Sequence, residues 1–77
     1  MVRFVVSNHA KGRMVLRGIS MKMIKNTVLK SEYNGLGYLD RSLAFKTFQK
    51  GLLKVVYSKE KDIYYIVSVI WEKINIK

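Results

Sequence analysis

The sequence predicts an α+β domain of order β-α-α-β-β-β, two short helices packed on a mainly antiparallel sheet. Three observations predict it. Four segments rich in β-branched and aromatic residues, 2–6, 43–48, 52–57 and 63–71, read as strands. Two stretches between the first and second of these each start behind a serine and suit short helices. Turn-forming residues and short charged runs separate the rest, and 77 residues leave room for one domain over 1–77, without a second core.

The elements follow in order. Residues 2–6, VRFVV, suit a short strand. Ser7 offers an N-cap for a helix running to Arg17, and Gly18 supplies its stop. Gly12 weakens that helix locally. Ser20 caps a second helix through about Lys30, with Met21, Ile24 and Val28 spaced i, i+3, i+7 on its apolar side. Position 23 holds Met23 where a capping box would have an acid, so a plain cap is expected. SEYNGLGYLDRS, residues 31–42, reads as the loop.

LAFKTF (43–48) and LLKVVY (52–57) flank QKG as a hairpin, where Gly51 is free to take positive φ. SKEKD (58–62) is a charged turn. IYYIVSVIW (63–71), the longest and most apolar strand, is expected at the centre of the sheet, with Trp71 as a core or interface anchor. A charged tail, EKINIK, follows.

Composition narrows the chemistry. A chain this short buries only roughly 60–65% of the surface its unfolded form exposes. No cysteine is present to add a disulfide or a thiolate zinc site, and one histidine with five scattered acids makes a poor metal cage, so neither metal nor cofactor is expected. The lack of cysteine fits a reducing cytoplasm. The apolar run in MVRFVV is about five residues, short of the 7–15 of a secretory signal. No apolar stretch approaches the ~18–20 residues that span a bilayer, so no membrane partner is expected. P-loop and dinucleotide glycine patterns are missing, and NGLG (34–37) is a turn.

Charge is the strongest bulk signal. Fifteen Lys+Arg against five Asp+Glu give a net charge of +10. A fold needs no such excess, and self-repulsion makes it mildly costly, so the natural partner is a polyanion: RNA, DNA, or an acidic protein that neutralises it.

SNHAKGRMVLRGIS, residues 7–20, places His9, Arg13 and Arg17 four residues apart on the first helix. Four-residue steps advance about 40°, so the three side chains form one slanting stripe. Ala10 and Met14 lie to one side and Leu16 to the other, a flank of core-type residues. Two guanidiniums and an imidazole repel one another unless an anion sits among them. RNA cleavage by 2′-hydroxyl attack needs these functional types. Histidine can serve as general base or acid at neutral pH, and arginine clamps phosphate with forked donors. Phosphate binding without chemistry, or an ordinary wet helix face, uses the same residues.

The same stretch resembles the opening signature of the domain-of-unknown-function family 4258, a strand followed by S-x-H-A-x-x-R-M-x-x-R-G-I-S. Ser7, His9, Ala10, Arg13, Met14, Arg17, Gly18, Ile19 and Ser20 stand where that pattern wants them. The closing GLLKVVYSKEKDIYYIVSVIW is more loosely similar to the family's terminal hairpin. The family is distantly similar to RelE-like and BrnT-like toxins, small basic α+β ribonucleases of toxin–antitoxin systems. The resemblance implies metal-independent RNA cleavage and an acidic antitoxin partner, with His9, Arg13 and Arg17 as the motif's polar members.

Other candidates lie outside the motif. Lys11, Lys46, Lys54, Tyr57, Tyr64 and Lys73 are candidate RNA contacts, because tyrosines interleaved with lysines suit base stacking beside a charged track. The tyrosines also suit half-buried strand positions, and Lys46 and Lys54 suit edge-strand protection. Three readings follow: a toxin-like RNA-binding protein acting as an endoribonuclease, a non-catalytic nucleic-acid- or ribosome-binding module, and a small basic interaction protein neutralised by an acidic partner. A homodimer is compatible with each.

Overall fold

The computed structural model describes residues 2–72. Its elements are β1 (Arg3–Val6), α1 (Asn8–Arg17), α2 (Met21–Leu29), β2 (Tyr33–Leu36), a 3-10 turn at Tyr38–Asp40, β3 (Ser42–Phe48), β4 (Gly51–Glu60) and β5 (Ile63–Glu72). The strands form one sheet of order β1-β5-β4-β3-β2, antiparallel except for the parallel β1–β5 pair. The expected α+β arrangement therefore holds, with one strand more than the sequence predicts.

Both helices begin and end on local chemistry. The Ser7 hydroxyl accepts from the Ala10 amide at 3.1 Å, which caps α1. Gly18 turns left-handed at φ 63°, and the amides of Gly18 and Ile19 both reach the Met14 carbonyl. This is a Schellman-type stop, with Ile19 buried and Met14 packed on the core. Ser20 caps α2 through the Met23 amide at 3.2 Å. The cap is more than plain, because the Met23 thioether accepts from the Ser20 amide at 3.5 Å. Sulfur is a weak acceptor, but here it takes the place of the missing acid.

Three expectations about the strands are corrected. Residues 33–36 pair with β3 as an edge strand, although YNGL has no apolar alternation and all four residues are exposed. Pairing partners supply this strand, not its own pattern. The sheet centre is β4. β5 lies between β1 and β4, and strands flanked on both sides both read as apolar runs, so hydropathy does not rank them. The charged turn shrinks to Lys61 and Asp62, since Ser58, Lys59 and Glu60 continue β4 opposite Tyr65, Tyr64 and Ile63. Gly51 does adopt positive φ, at 145°.

The helices cover one face of the sheet. Ala10, Ile19, Ile24 and Val28 from the helical layer meet Leu53, Val55, Ile66 and Val69 from β4 and β5. Thr27, also fully buried, returns its hydroxyl to the Met23 carbonyl at 2.8 Å. β5 contains an extra residue, Val67, between Ile66 and Ser68, so Val56 and Tyr57 of β4 face Ser68 and Ile66. The bulge moves inward-facing positions from Ile66 to Val69. Trp71 anchors the far end, edge-on to Phe48 at 6.4 Å.

At φ 63° an L-residue is strained, and a β-carbon on Gly18 would lie 2.6 Å from the mobile end of Lys50. Gly18→Ala should cost about 1–2 kcal/mol, mainly from the backbone. A thermal melt should show a Tm roughly 4–8 °C lower for each kcal/mol lost; an unchanged Tm would contradict the capping assignment.

Candidate functional site

The polar row on α1 runs from solvent toward the sheet. A residue advances about 100° around a helix, so His9 lies about 100° from buried Ala10, Arg13 about 60° and Arg17 about 20°. The four-residue step thus slants the row into the sheet: His9 is exposed, while Arg13 and Arg17 are half-buried. The Arg17 guanidinium donates to the Val69 carbonyl at 2.9 Å, and the Trp71 indole donates to the Arg17 carbonyl at 2.9 Å. Arg17 is therefore engaged by β5 through one of its five donors. Leu16, expected among core-type neighbours, is 75% exposed.

On the other flank of α1 the structure assembles a different site. Lys11 lies about 100° from Ala10 in the opposite sense to His9. It lines an open groove of about 640 Å³ together with Val2, Phe4, Val5 and Val6 around β1 and Met21, Lys25 and Leu29 of α2. Met21, Lys25 and Leu29 recur every four residues and so form one stripe of α2. The floor is apolar, and the cations at its rim are Lys11 and Lys25.

Three aromatic rings from neighbouring strands meet beside this groove. Strand register sets Phe4 of β1 opposite Tyr64 of β5, and their rings stack at 5.0 Å with 15° between planes. The Tyr57 ring of β4 lies 5.6 Å from Tyr64. Lys25 Nζ sits 5.8 Å from the Phe4 centroid, and Lys59 Nζ sits 5.4 Å from that of Tyr64, both within cation–π range. Tyr57 and Tyr64, named from sequence, are thus brought together, and Lys11 shares their side of the sheet. Burial raises the Tyr57 phenol above its ordinary 10.0, as does the neighbouring Tyr64, against smaller opposing effects of Ser42 and Lys59.

The remaining candidates are placed elsewhere. Lys46 donates to the Lys30 carbonyl at 3.3 Å and so neutralises the C-terminal end of α2. Lys54 belongs to the opposite face of the central strand, 3.4 Å from Glu72, which also removes its expected role as edge protection. Lys73 lies outside the described residues. The residues missed are Phe4, Lys25 and Lys59. One available signal bears on Lys25: residues 1–31 contain seven Lys or Arg and no Asp or Glu, so β1 and both helices are free of acids; nothing comparable marks Phe4 or Lys59.

The groove sets two lysines, a side chain that suits phosphate, beside an apolar lining with one aromatic ring, Phe4. None of its lining residues is His, Asp or Glu. Among the described residues, no group of three His, Cys, Asp or Glu side chains could hold a metal ion. No helix of the described residues is long and apolar enough to cross a membrane. Compared with family models, curated proteins and solved structures, the chain has no match.

Two outcomes follow. Arg17→Ala should destabilise the fold by about 1.5–3 kcal/mol, the range for hydrogen bonds to charged groups, with Arg17→Lys recovering part of it in chemical denaturation. The second concerns alkaline pH. A Tyr57 pKa raised in the fold means that the neutral phenol stabilises the protein below pH 10, and that this contribution is lost as pH rises through the folded value. Tm measured from about pH 9 upward should fall more steeply for the parent than for Tyr57→Phe above pH ~10; parallel curves would refute the assignment.

Proposed function

We propose that the chain is a non-catalytic module that binds RNA, or ribosomal RNA, in single-stranded form on its helix-bearing side. The observation that carries this reading is the groove itself: Lys11 and Lys25 beside an apolar lining that includes Phe4, within a stretch free of acids, with Tyr64 stacked on Phe4 next to it. Phosphates would meet the lysines while bases cover the aromatic and apolar floor. Such binding is electrostatic at the backbone and tolerant of sequence at the bases. The volume falls within the ~300–1,000 Å³ of ordinary ligand sites.

The net charge of +10 supports the same reading. Catalysis has less support. The ribonuclease reading needs imidazole and two guanidiniums around one phosphodiester, and Arg17 is committed to Val69. His9 and Arg13 lie on the flank of α1 away from the groove. A reducing, cytoplasmic setting and an acidic protein that masks the basic side both fit this proposal.

The test is binding of a labelled single-stranded RNA of about ten nucleotides, followed across salt concentration in EDTA. Affinity should fall linearly on a log–log plot with a slope of about 0.7 per phosphate contact. Lys11→Ala with Lys25→Ala should weaken binding roughly tenfold at low salt and flatten the slope by about 0.7 for each lysine removed. Arg41→Ala, near the opposite sheet edge, should leave both unchanged. The RNA should be recovered whole. Salt-independent binding would sink the proposal, and cleavage that disappears in His9→Ala would replace it with the ribonuclease.

A further inference from the structure

The face of the sheet opposite the helices, bare among the described residues, differs in chemistry from the helix-bearing face. Strand alternation, corrected for the bulge at Val67, sends Leu53, Val55, Ile66 and Val69 toward the helices. The alternate positions point the other way and include Leu43, Phe45, Leu52, Val56, Ile63 and Ile70, all half-buried and none packed against the helix-side core. Neither helix covers this face. These residues form an apolar patch interrupted by Thr47, Ser58 and Ser68, and exposed apolar surface of this kind marks an interaction site.

Charge decides what the surface fits. The strand residues on this face include Arg3, Lys54, Glu60 and Glu72, two positive and two negative, and Lys54 pairs with Glu72 at 3.4 Å. On a chain of net charge +10 this face is neutral. An acidic partner would choose the helix-bearing side. A second copy meets the opposite situation: joined through their helix-bearing sides two copies would repel, but joined through the bare faces they keep their cations apart. Packed sheets lie ~10 Å apart, so the helical layers outside them are separated by more than the ~8 Å screening length at physiological salt.

Size agrees. Five strands at ~4.8 Å spacing and about seven paired residues at ~3.3 Å each give a face of roughly 550 Å², hence about 1,100 Å² buried between two copies. That is near the lower limit of specific interfaces, and it suits a dimer that dissociates in the micromolar range. We infer that this chain forms a two-fold homodimer by packing its bare sheet face on that of a second copy. The result is a β-sandwich with a cationic helical layer on each outer side. In this arrangement each Lys54–Glu72 pair can exchange partners with its symmetry mate, which gives the contact a register.

Sedimentation velocity of this chain at about 100 μM tests this, a concentration well above the micromolar range expected. The expected species has twice the 9.0 kDa mass of the chain. Ile70→Lys places a cation at the centre of the face, and Lys54→Glu leaves two like charges there; each should yield monomer, while Lys54→Glu combined with Glu72→Lys should restore dimer. Circular dichroism should show all three folded. Lys25→Glu, in the RNA groove, should leave the dimer intact, so failure of the RNA proposal and failure of this one are distinguishable. A monomeric parent, an assembly larger than a dimer, or a dimer indifferent to Ile70→Lys would overturn the inference.

Discussion

The edge of β5 organises the molecule. β1 pairs with it only from Ile63 to Ile66, so the rest of β5, through Glu72, presents carbonyls on that edge without a neighbouring strand. α1 supplies what β1 does not. The Ser7 amide reaches the Ile66 carbonyl, its hydroxyl reaches Val67 at 3.2 Å, and the Arg17 guanidinium reaches Val69. The Trp71 indole completes the series by donating to the Arg17 carbonyl. Both ends of α1 are thereby held along one strand. The helix blocks an edge that would otherwise be open to another chain, and its long axis is set by backbone groups.

That constraint decides the fate of the basic residues. Once α1 is fixed against β5, the His9–Arg13–Arg17 stripe must run from solvent into the sheet, while Lys11 must face α2 and β1. Helix ends consume further cations: Lys50 donates to the Gly18 carbonyl at 3.4 Å behind α1, and Lys46 does the same behind α2. Carbonyls left over at helix C-termini attract positive charge, so part of the basic excess has structural use. Of what remains, Lys25 and Lys59 lie over the aromatic rings and Lys11 lines the neighbouring groove. The two faces of the sheet then separate by chemistry, one cationic and aromatic, one neutral and apolar.

Local features were legible before any coordinates. Ser7, Gly18 and Ser20 act at helix ends because their side chains, or the lack of one, satisfy or release the adjoining backbone wherever the helix packs. The strands at 3–6, 42–48, 51–60 and 63–72 follow from runs of β-branched and aromatic residues. β2 was not legible, since YNGL acquires its extended form from β3. The capping role of Met23 was missed because thioethers rarely replace carboxylates. The site was half legible. Tyr57, Tyr64 and Lys11 have the residue types for RNA contact, but Lys54 and Arg17 have the same types and are occupied elsewhere.

The amino-acid order by itself determined the element types, the helix caps and the size of the positive charge, because each depends on neighbours within a few residues or on a simple sum. The tertiary structure alone decided that β4 is central, that Phe4 stacks on Tyr64, and that Arg17 binds a carbonyl while Lys11 and Lys25 rim a groove. Those outcomes depend on strand register and helix rotation, which bring together groups up to 60 residues apart, as in the Ser7–Val67 bond. A side chain's charge is written in the chain; whether that charge is free to meet a partner is settled by what the fold places within 3 or 4 Å of it.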